Sequence, residues 1–172
     1  MVIHVDTREK PRAIVRIMKT FRDEGVEVVR RALPFGDYSS PSAPGVVIDR
    51  KQNLLEVASN LVQDRARFLR EVERANRAGS LLIVLVEHSN RIRTLEDVIQ
   101  WKNPRLKESP LAVDGERLYR IMHNTASRYG FQWAFCDKVH TGKRIIDMLR
   151  GEKYGVERVH REDPGRRDDH RG

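Results

Sequence analysis

The sequence predicts an α/β domain in which helices flank a mixed β-sheet. Segments with strand character alternate along the chain with segments whose apolar residues recur three or four positions apart, as in layered α/β domains. The turn "SPSAPG" (40–45) separates two strand-like arms and indicates an antiparallel hairpin, so the sheet is not wholly parallel. The length of 172 residues is sufficient for one substantial core.

The strands are predicted from runs of β-branched and other apolar residues. The first is "VIHVD" (2–6), and the clearest buried strand is "LLIVLVE" (81–87). The other predicted strands are "VEVVRRAL" (26–33), "VVIDRK" (46–51) and "FQWAFC" (131–136), and "FGDYSS" (35–40) is either a short strand or a bend.

The helices are predicted from apolar spacing and from the glycines that follow it. In the first of them Ile14, Ile17 and Phe21 share one face, and Gly25 ends the pattern. The predicted helices are 11–24, a single long helix over 53–77, a short helix around 94–102, and two further helices over 114–130 and 140–150.

Composition indicates a globular domain followed by a charged tail. Hydrophobic residues make up 39% of the chain and charged residues 34%. Residues 151–172 have almost no apolar side chains and six basic against six acidic residues, so they cannot bury enough surface to order themselves. We therefore predict one domain over 1–150 and a disordered tail over 151–172. The net charge of +8 then belongs to the domain.

The charge favours a polyanionic partner. A net charge of +8 and a pI near 10.0 are typical of proteins that bind DNA, although ribosomal and membrane-surface proteins share them. Cys136 is the one cysteine; it excludes an internal disulfide, and its strand context predicts a buried thiol. No signal peptide or apolar run of membrane length is visible, so we expect a cytoplasmic protein without a membrane partner. The six histidines show no ligand spacing, which argues against zinc.

A stripe of arginines follows the predicted long helix. Its members are 3, 4 and 3 residues apart and lie on one face, either as a solvated surface or as a DNA-binding surface. They are Arg67, Arg70, Arg74 and Arg77. Arg65 falls instead within the apolar seam, where a guanidinium is costly unless it meets an interior anion, such as a carboxylate cluster or a phosphate.

The end of the predicted strand 46–51 carries charges of both signs. Asp49 and Lys51 are two residues apart and point to one face, whereas Arg50 points to the other. This can be a plain ion pair. However, Asp37 on the neighbouring hairpin arm and Asp6 at the end of the first strand can converge on the same end of the sheet.

Three carboxylates beside one lysine indicate a metal site. Like charges repel and raise one another's pKa, and a divalent cation removes that repulsion. Oxygen ligands suit Mg²⁺ or Mn²⁺, which also bind substrate phosphate. Lys51 can hold a water or neutralise charge that builds up in the transition state.

Three segments resemble, in the right order, the G-D…E-R-K signature of the XPF-type structure-specific endonucleases, within the PD-(D/E)XK nuclease superfamily. The resemblance covers residues 1 to about 88 and includes the apolar strand that closes in Glu87. The segments are "VDTREKP" (5–11), "LPFGDYS" (33–39) and "VVIDRKQNLLEVASNL" (46–61).

The resemblance implies a three-layer restriction-endonuclease-like fold, with a central mixed sheet flanked by helices. It implies that Asp37 and Asp49 are the core metal ligands, Lys51 is the catalytic lysine and Asp6 is an additional acid of the site. Arg50 would be the middle arginine of the signature, and Arg8 and Glu9 would flank its first motif.

Two positions depart from the family pattern. The family usually has Glu where this chain has Asp49, and it expects an Asp where this chain has Leu55. Glu56, one position later, can take the place of that Asp. Arg65 or Arg67 can match an arginine that the family places on the following helix, and the seam argument favours Arg65.

The sequence thus predicts a Mg²⁺- or Mn²⁺-dependent DNA endonuclease for branched, flap or junction DNA, in a free-standing bacterial or prophage-like version. Arg8 and the arginines of the following helix would bind the DNA, together with the basic loop 102–107. One alternative is a non-catalytic DNA-binding or scaffold subunit of a nuclease complex. Another is a restriction-type nuclease that cuts ordinary duplex at a sequence.

The last predicted helices also suggest an assembly. Residues 114–150 carry more apolar side chains than one sheet edge needs, which predicts a homodimer unless they simply cover the sheet of a monomer. The residues concerned are Leu118, Ile121, Met122, Ile145, Ile146, Met148 and Leu149.

Overall fold

We describe a computed structural model of the chain, covering residues 1–88 and 91–151. The strands are β1 Val2–Asp6, β2 Glu27–Arg31, β3 Tyr38–Ser39, β4 Val46–Lys51, β5 Leu81–His88 and β6 Gln132–Asp137. The α-helices are α1 Val15–Asp23, α2 Leu54–Val62, α3 Arg65–Arg77, α4 Gly115–Tyr129 and α5 Thr141–Leu149. Short 3-10 helices cover Pro11–Ala13, Glu96–Gln100 and Pro104–Lys107.

The strands form one six-stranded mixed sheet in the order β2-β1-β3-β4-β5-β6. The predicted hairpin is confirmed, because β3 pairs antiparallel with both β1 and β4. The remaining pairs, β1 with β2, β4 with β5 and β5 with β6, are parallel. The carboxyl ends of β1, β4 and β5 therefore lie at the same edge of the sheet.

Each face of the sheet has its own apolar core, which makes three layers. Ile83 and Leu85 of β5 pack with α1 and α5 on one face. Val84 and Val86 pack with α2, α3 and α4 on the other, because successive side chains of a strand alternate between faces. The predicted fold class is confirmed.

The predicted long helix over 53–77 is two helices, α2 and α3. The amides of Gln63 and Asp64 both donate to the carbonyl of Ser59, which ends α2, and α3 begins at Arg65. The break changes which face each later residue occupies, so the apolar seam does not continue unbroken. The helix expected around 94–102 is the short 3-10 helix Glu96–Gln100.

The apolar residues that suggested a dimer are packed within the monomer. Six of them are buried and Ile121 is half-buried, packed in the cores on the two faces of the sheet. These residues therefore form no exposed partner surface, and the sequence argument for a dimer through 114–150 is wrong.

The predicted disordered tail lies, from residue 152 onward, outside the described residues. No helix among those described is both long and apolar enough to cross a membrane.

Candidate active site

A cleft of about 260 Å³ opens at the carboxyl end of β4. The chain after β1, the turn before β3, the end of β4 and the first turns of α2 and α3 all contribute to its wall. The lining residues are Arg8, Glu9, Lys10, Ala13, Asp37, Asp49, Arg50, Lys51, Gln52, Glu56, Arg67 and Glu71. We call Asp37, Asp49 and Lys51 together the carboxylate cleft.

Asp37 is placed by a tight turn that only glycine permits. Gly36 has a φ of +66°, and a Cβ there would lie 2.3 Å from Val47 Cγ1. The Asp37 amide donates to the Ile48 carbonyl at 2.8 Å, and its own carbonyl accepts from the Asp6 amide at 2.8 Å. Asp37 Oδ2 accepts a hydrogen bond from the Arg50 amide at 2.8 Å. The carboxylate is thus fixed beside the end of β4.

Asp49 and Lys51 share one face of β4, as the alternation predicted. Lys51 Nζ donates to Asp49 Oδ1 at 3.0 Å and lies 2.8 Å from Oδ2 as an ion pair. The contact with Oδ2 lacks hydrogen-bond geometry, so the buried Oδ2 has only this ion-pair contact and no hydrogen bond among the described residues. A buried carboxylate oxygen without a hydrogen bond can accept a further ligand.

The electrostatics of the cleft are unbalanced. Burial raises the pKa of Asp37 well above its ordinary value, and repulsion from Asp49 raises it further. Burial opposes the charge of Lys51, but attraction by Asp49 and the hydrogen bond that Lys51 donates to it outweigh this effect, so the pKa of Lys51 is raised. Lys51 therefore stays positively charged at neutral pH, and its ion-pair partner is Asp49.

The Arg50 side chain points to the other face of β4 and forms a second cluster with Glu9, Glu87 and Thr141, which we call the arginine network. Arg50 and Glu9 also reach the wall of the cleft, whereas Glu87 and Thr141 do not. Arg50 donates to Glu9 Oε2 at 2.9 Å and Oε1 at 3.2 Å, and to Glu87 Oε1 at 3.2 Å. Thr141 Oγ1 donates to the same Glu87 oxygen at 2.9 Å. Both ion pairs are nearly inaccessible to solvent.

Asp6, expected in the site, does not line the cleft. Its fully buried carboxylate accepts from the side chain and amide of Arg8, each at 2.7 Å, and from the Leu33 amide at 2.6 Å. Burial opposes ionisation of Asp6, but these hydrogen bonds outweigh it and lower its pKa. Arg8 also donates to the Leu33 and Gly36 carbonyls, so this pair braces the turn that carries Asp37.

The structure distinguishes the two candidate arginines at the start of α3. Arg67 is exposed and lines the cleft, whereas Arg65 is half-buried and donates to Thr125 Oγ1 at 3.3 Å. The sequence argument preferred Arg65 and expected an anion beside it. The break between α2 and α3 changes the face on which the later residues lie, which is why Arg67 and not Arg65 lines the cleft. Of the stripe's other members, Arg74 donates to the Pro34 carbonyl and Arg77 pairs with Glu73, and none of them lines the cleft.

Glu56, and not Leu55, lies where the family pattern expects an acid. Leu55 packs against the core, and Glu56 reaches the cleft. Glu56 also belongs to the cap of α2, because its carboxylate accepts from the Gln52 amide at 2.8 Å while its amide donates to Asn53.

Sequence reasoning missed Glu71. Its carboxylate accepts from the Gly36 amide at 2.9 Å and so holds the Asp37 turn against α3. Its position one turn after Arg67 on the same face was the signal that pointed to it.

The residues of the cleft fit a divalent cation. Asp49 Oδ2 has an ion-pair contact with Lys51 but no hydrogen bond among the described residues, and Asp37 and Asp49 repel each other. Carboxylate oxygens of this kind suit Mg²⁺, which retains waters when one or two carboxylates hold it. Within 1–88 and 91–151 no group of three or more His, Cys, Asp or Glu side chains is arranged for a metal. A cation here would therefore depend on two acids together with water and substrate.

The chain matches the family model described as the ERCC4 domain over residues 5–149. Two solved structures share its fold. XPF from Aeropyrum pernix is 20% identical with a TM-score of 0.60, over 87% of this chain and 64% of that chain. XPF from Aeropyrum pernix in complex with DNA is 21% identical with the same TM-score, 0.60, over 87% and 63%. This chain spans a little under two thirds of each, and no curated protein matches it. These matches confirm the resemblance to an XPF-type nuclease domain.

Proposed function

This chain belongs to the ERCC4 domain family, and we propose that it is a metal-dependent DNA endonuclease that works at the carboxylate cleft. The observation that carries the proposal is that two buried carboxylates, Asp37 and Asp49, line one cleft with the Lys51 ammonium paired to Asp49, while burial and the Asp49 charge raise the pKa of Asp37. Perturbed acids in a cleft are typical of functional sites.

In this proposal Asp37 and Asp49 hold a Mg²⁺ or Mn²⁺ ion, and Glu56 is near enough to the same cleft to orient a water. When bound, such a cation supplies Lewis-acid stabilisation of a phosphoryl transition state. Two contacts hold Asp37 in place: the Arg50 amide donates to its carboxylate, and Glu71 accepts from the amide of the Gly36 turn.

Lys51 and Arg67 supply the positive charge. Lys51 stays protonated beside Asp49, so it suits stabilisation of negative charge on the phosphate better than proton abstraction. Arg67 lines the cleft with no ion-pair partner among the described residues, which suits contact with a DNA phosphate. Asp6 and Arg8 form an ion pair with each other, so in this proposal they support the turn that carries Asp37.

Branched, flap or junction DNA is the substrate class that we propose, with XPF solved in complex with DNA as the supporting likeness. The net charge of +8 supports a polyanionic partner. The competing role, a DNA-binding scaffold without catalysis, predicts the same binding and no cleavage.

The test is to incubate the protein with Mg²⁺ and labelled duplex, flap, splayed-arm and four-way-junction DNAs, with EDTA as the control. Cleavage of branched substrates that EDTA abolishes supports the proposal. Binding without cleavage in Mg²⁺ and in Mn²⁺ establishes the scaffold role instead. Cutting of plain duplex at one sequence favours the restriction-type alternative.

A homodimer is a separate proposal, and the apolar residues of 114–150 do not support it. Exposed apolar side chains lie instead at Val62 and Leu111, beside a groove of about 250 Å³ between α2 and the loop 103–113. Light scattering at micromolar concentration decides the matter: a mass that stays at 20.0 kDa as concentration rises excludes the dimer.

A further inference from the structure

The start of α5 is connected to β5 by one buried hydroxyl. Thr141, the first residue of the helix, is fully buried and donates to Glu87 Oε1 at 2.9 Å. The helix itself cannot shift easily, because a Cβ at Gly142 would lie 2.7 Å from Thr20 Cβ of α1. Thr141 therefore holds Glu87 from a firmly packed position.

Glu87 in turn holds one arm of Arg50. The Arg50 guanidinium spans two carboxylates, with Glu87 3.2 Å away on one side and Glu9 2.9 Å away on the other. The network thus ties the chain after β1, the end of β4, the end of β5 and the start of α5 into one buried unit.

Arg50 passes its position to the cleft through its backbone. Its amide donates to Asp37 Oδ2 at 2.8 Å, and its sequence neighbours are Asp49 and Lys51. A shift of Arg50 therefore displaces the whole carboxylate cleft, although neither Glu87 nor Thr141 lines it.

We propose that Thr141 and Glu87 are positioning residues that set the geometry of the carboxylate cleft through Arg50. The catalytic consequence rests on the proposed function, whereas the structural consequence does not. Buried charges are stable only when they are well paired. Arg50 and Thr141 both bond to Glu87 Oε1, whereas the buried Oε2 has no hydrogen-bond partner among the described residues, so Glu87 depends on these two contacts for its position. Partners at this distance from the chemistry typically change metal affinity or activity by about 10–100-fold when they are removed.

The central variant is Thr141→Val, which keeps the shape of the side chain and removes its hydroxyl. Thr141→Ser restores the hydroxyl and serves as the rescue. Thr125→Val is the matched control: Thr125 is also a buried helical threonine, but its hydroxyl donates to the Ile121 carbonyl in α4 and accepts from Arg65, and neither partner lines the cleft. Glu87→Gln is the second variant, in case Thr141→Val lowers the yield of folded protein.

The first readout needs no catalysis. In ¹⁵N–¹H spectra of the metal-free protein, the Arg50 amide signal should move in Thr141→Val and Glu87→Gln, return in Thr141→Ser and stay unchanged in Thr125→Val. An Arg50 amide at its wild-type position in both Thr141→Val and Glu87→Gln would overturn the inference. The same displacement in Thr125→Val would do so as well, because it would indicate general loosening.

The second readout is functional. Mn²⁺ binding without DNA and kcat on flap DNA should each fall by about tenfold or more in Thr141→Val, with KM unchanged. A purely structural role would lower Tm while leaving kcat and Mn²⁺ affinity of the folded protein at wild type. If the wild type does not cut DNA, the proposed function fails, and the amide signal of Arg50 still decides the positioning role.

Discussion

The two faces of β4 carry the same charges in different arrangements. The carboxylate cleft has two acids and one lysine, and the arginine network has two acids, Glu9 and Glu87, and one arginine. The planar guanidinium of Arg50 reaches both acids, whereas the Lys51 ammonium pairs with Asp49 alone. Asp37 is therefore left without an ion pair among the described residues, whereas each acid of the arginine network contacts Arg50, although Glu87 Oε2 has no hydrogen bond there. Under the proposed function, the face with the unpaired Asp37 would bind a cation or phosphate, and the opposite face would hold the strand in place.

Removing a carboxylate from the cleft should have the largest effect. We expect Asp49→Asn and Asp37→Asn to lower kcat by more than about 10²-fold, beyond the usual effect of residues outside the first ligand shell. DNA binding should stay at wild type or improve, because a charge that repels phosphate is removed. Single-turnover cleavage and a binding titration measure both quantities.

The control for these variants is Asp23→Asn, an exposed acid of α1 that pairs with Lys19. It should cut at the wild-type rate. If Asp37→Asn and Asp49→Asn also cut normally, the cleft is not the active site, and the contrast between the two faces has no catalytic meaning.

Removing the cation of the cleft should have the next largest effect. Lys51→Met keeps the length of the side chain and should lower kcat by about 10²-fold, the scale for one preorganised electrostatic group. KM should change little, since Arg67 and the surrounding basic surface still attract DNA. Lys19→Met on exposed α1 is the control, and a wild-type kcat for Lys51→Met would reduce its contact with Asp49 to a structural ion pair.

Making the arginine network resemble the cleft should affect stability. Arg50→Lys places on this face an ammonium that can pair with only one acid, so a buried carboxylate loses its partner. We expect the free energy of unfolding to fall by about 1–3 kcal/mol, measured by urea denaturation. Arg77→Lys, in an exposed pair with Glu73, should change it by less than about 0.5 kcal/mol. Equal stabilities for the two variants would show that the two-acid pairing of Arg50 is unimportant.

The sequence predicted the parts of the site that depend on local geometry. The alternation along β4 placed Asp49 and Lys51 on one face, and the hairpin brought Asp37 beside them. Asp6 could not be placed in this way, because its carboxylate is occupied by a loop residue, Arg8, and by an amide 27 residues away, at Leu33. These contacts depend on how the loops close over the sheet.

The preference for Arg65 over Arg67 as the arginine of the cleft was wrong for a different reason. Each residue turns a helix by about 100°, so a helix break of two residues changes which side chain faces a neighbour. The break at Gln63 and Asp64 therefore left Arg67 in the cleft and Arg65 against Thr125. A break of this kind has no strong sequence signal, since neither Gly nor Pro occurs there.

The smallest expected effect is on the pH dependence of stability without metal. The pKa of Asp37 is raised above its ordinary value of 3.8, so between that value and the folded pKa the folded state holds a proton that the unfolded state has lost. The stability contributed by protonated Asp37 is therefore fully present below the unfolded pKa and is lost as pH rises through the folded pKa. The slope is at most about 1.4 kcal/mol per pH unit. Asp37→Asn should remove this decline, so that the variant gains stability over wild type as pH increases, and urea unfolding in EDTA at several pH values measures it. Parallel curves for the two proteins would mean that neither burial nor the charge of Asp49 raises the pKa of Asp37, and the contrast between the faces of β4 would then be lost.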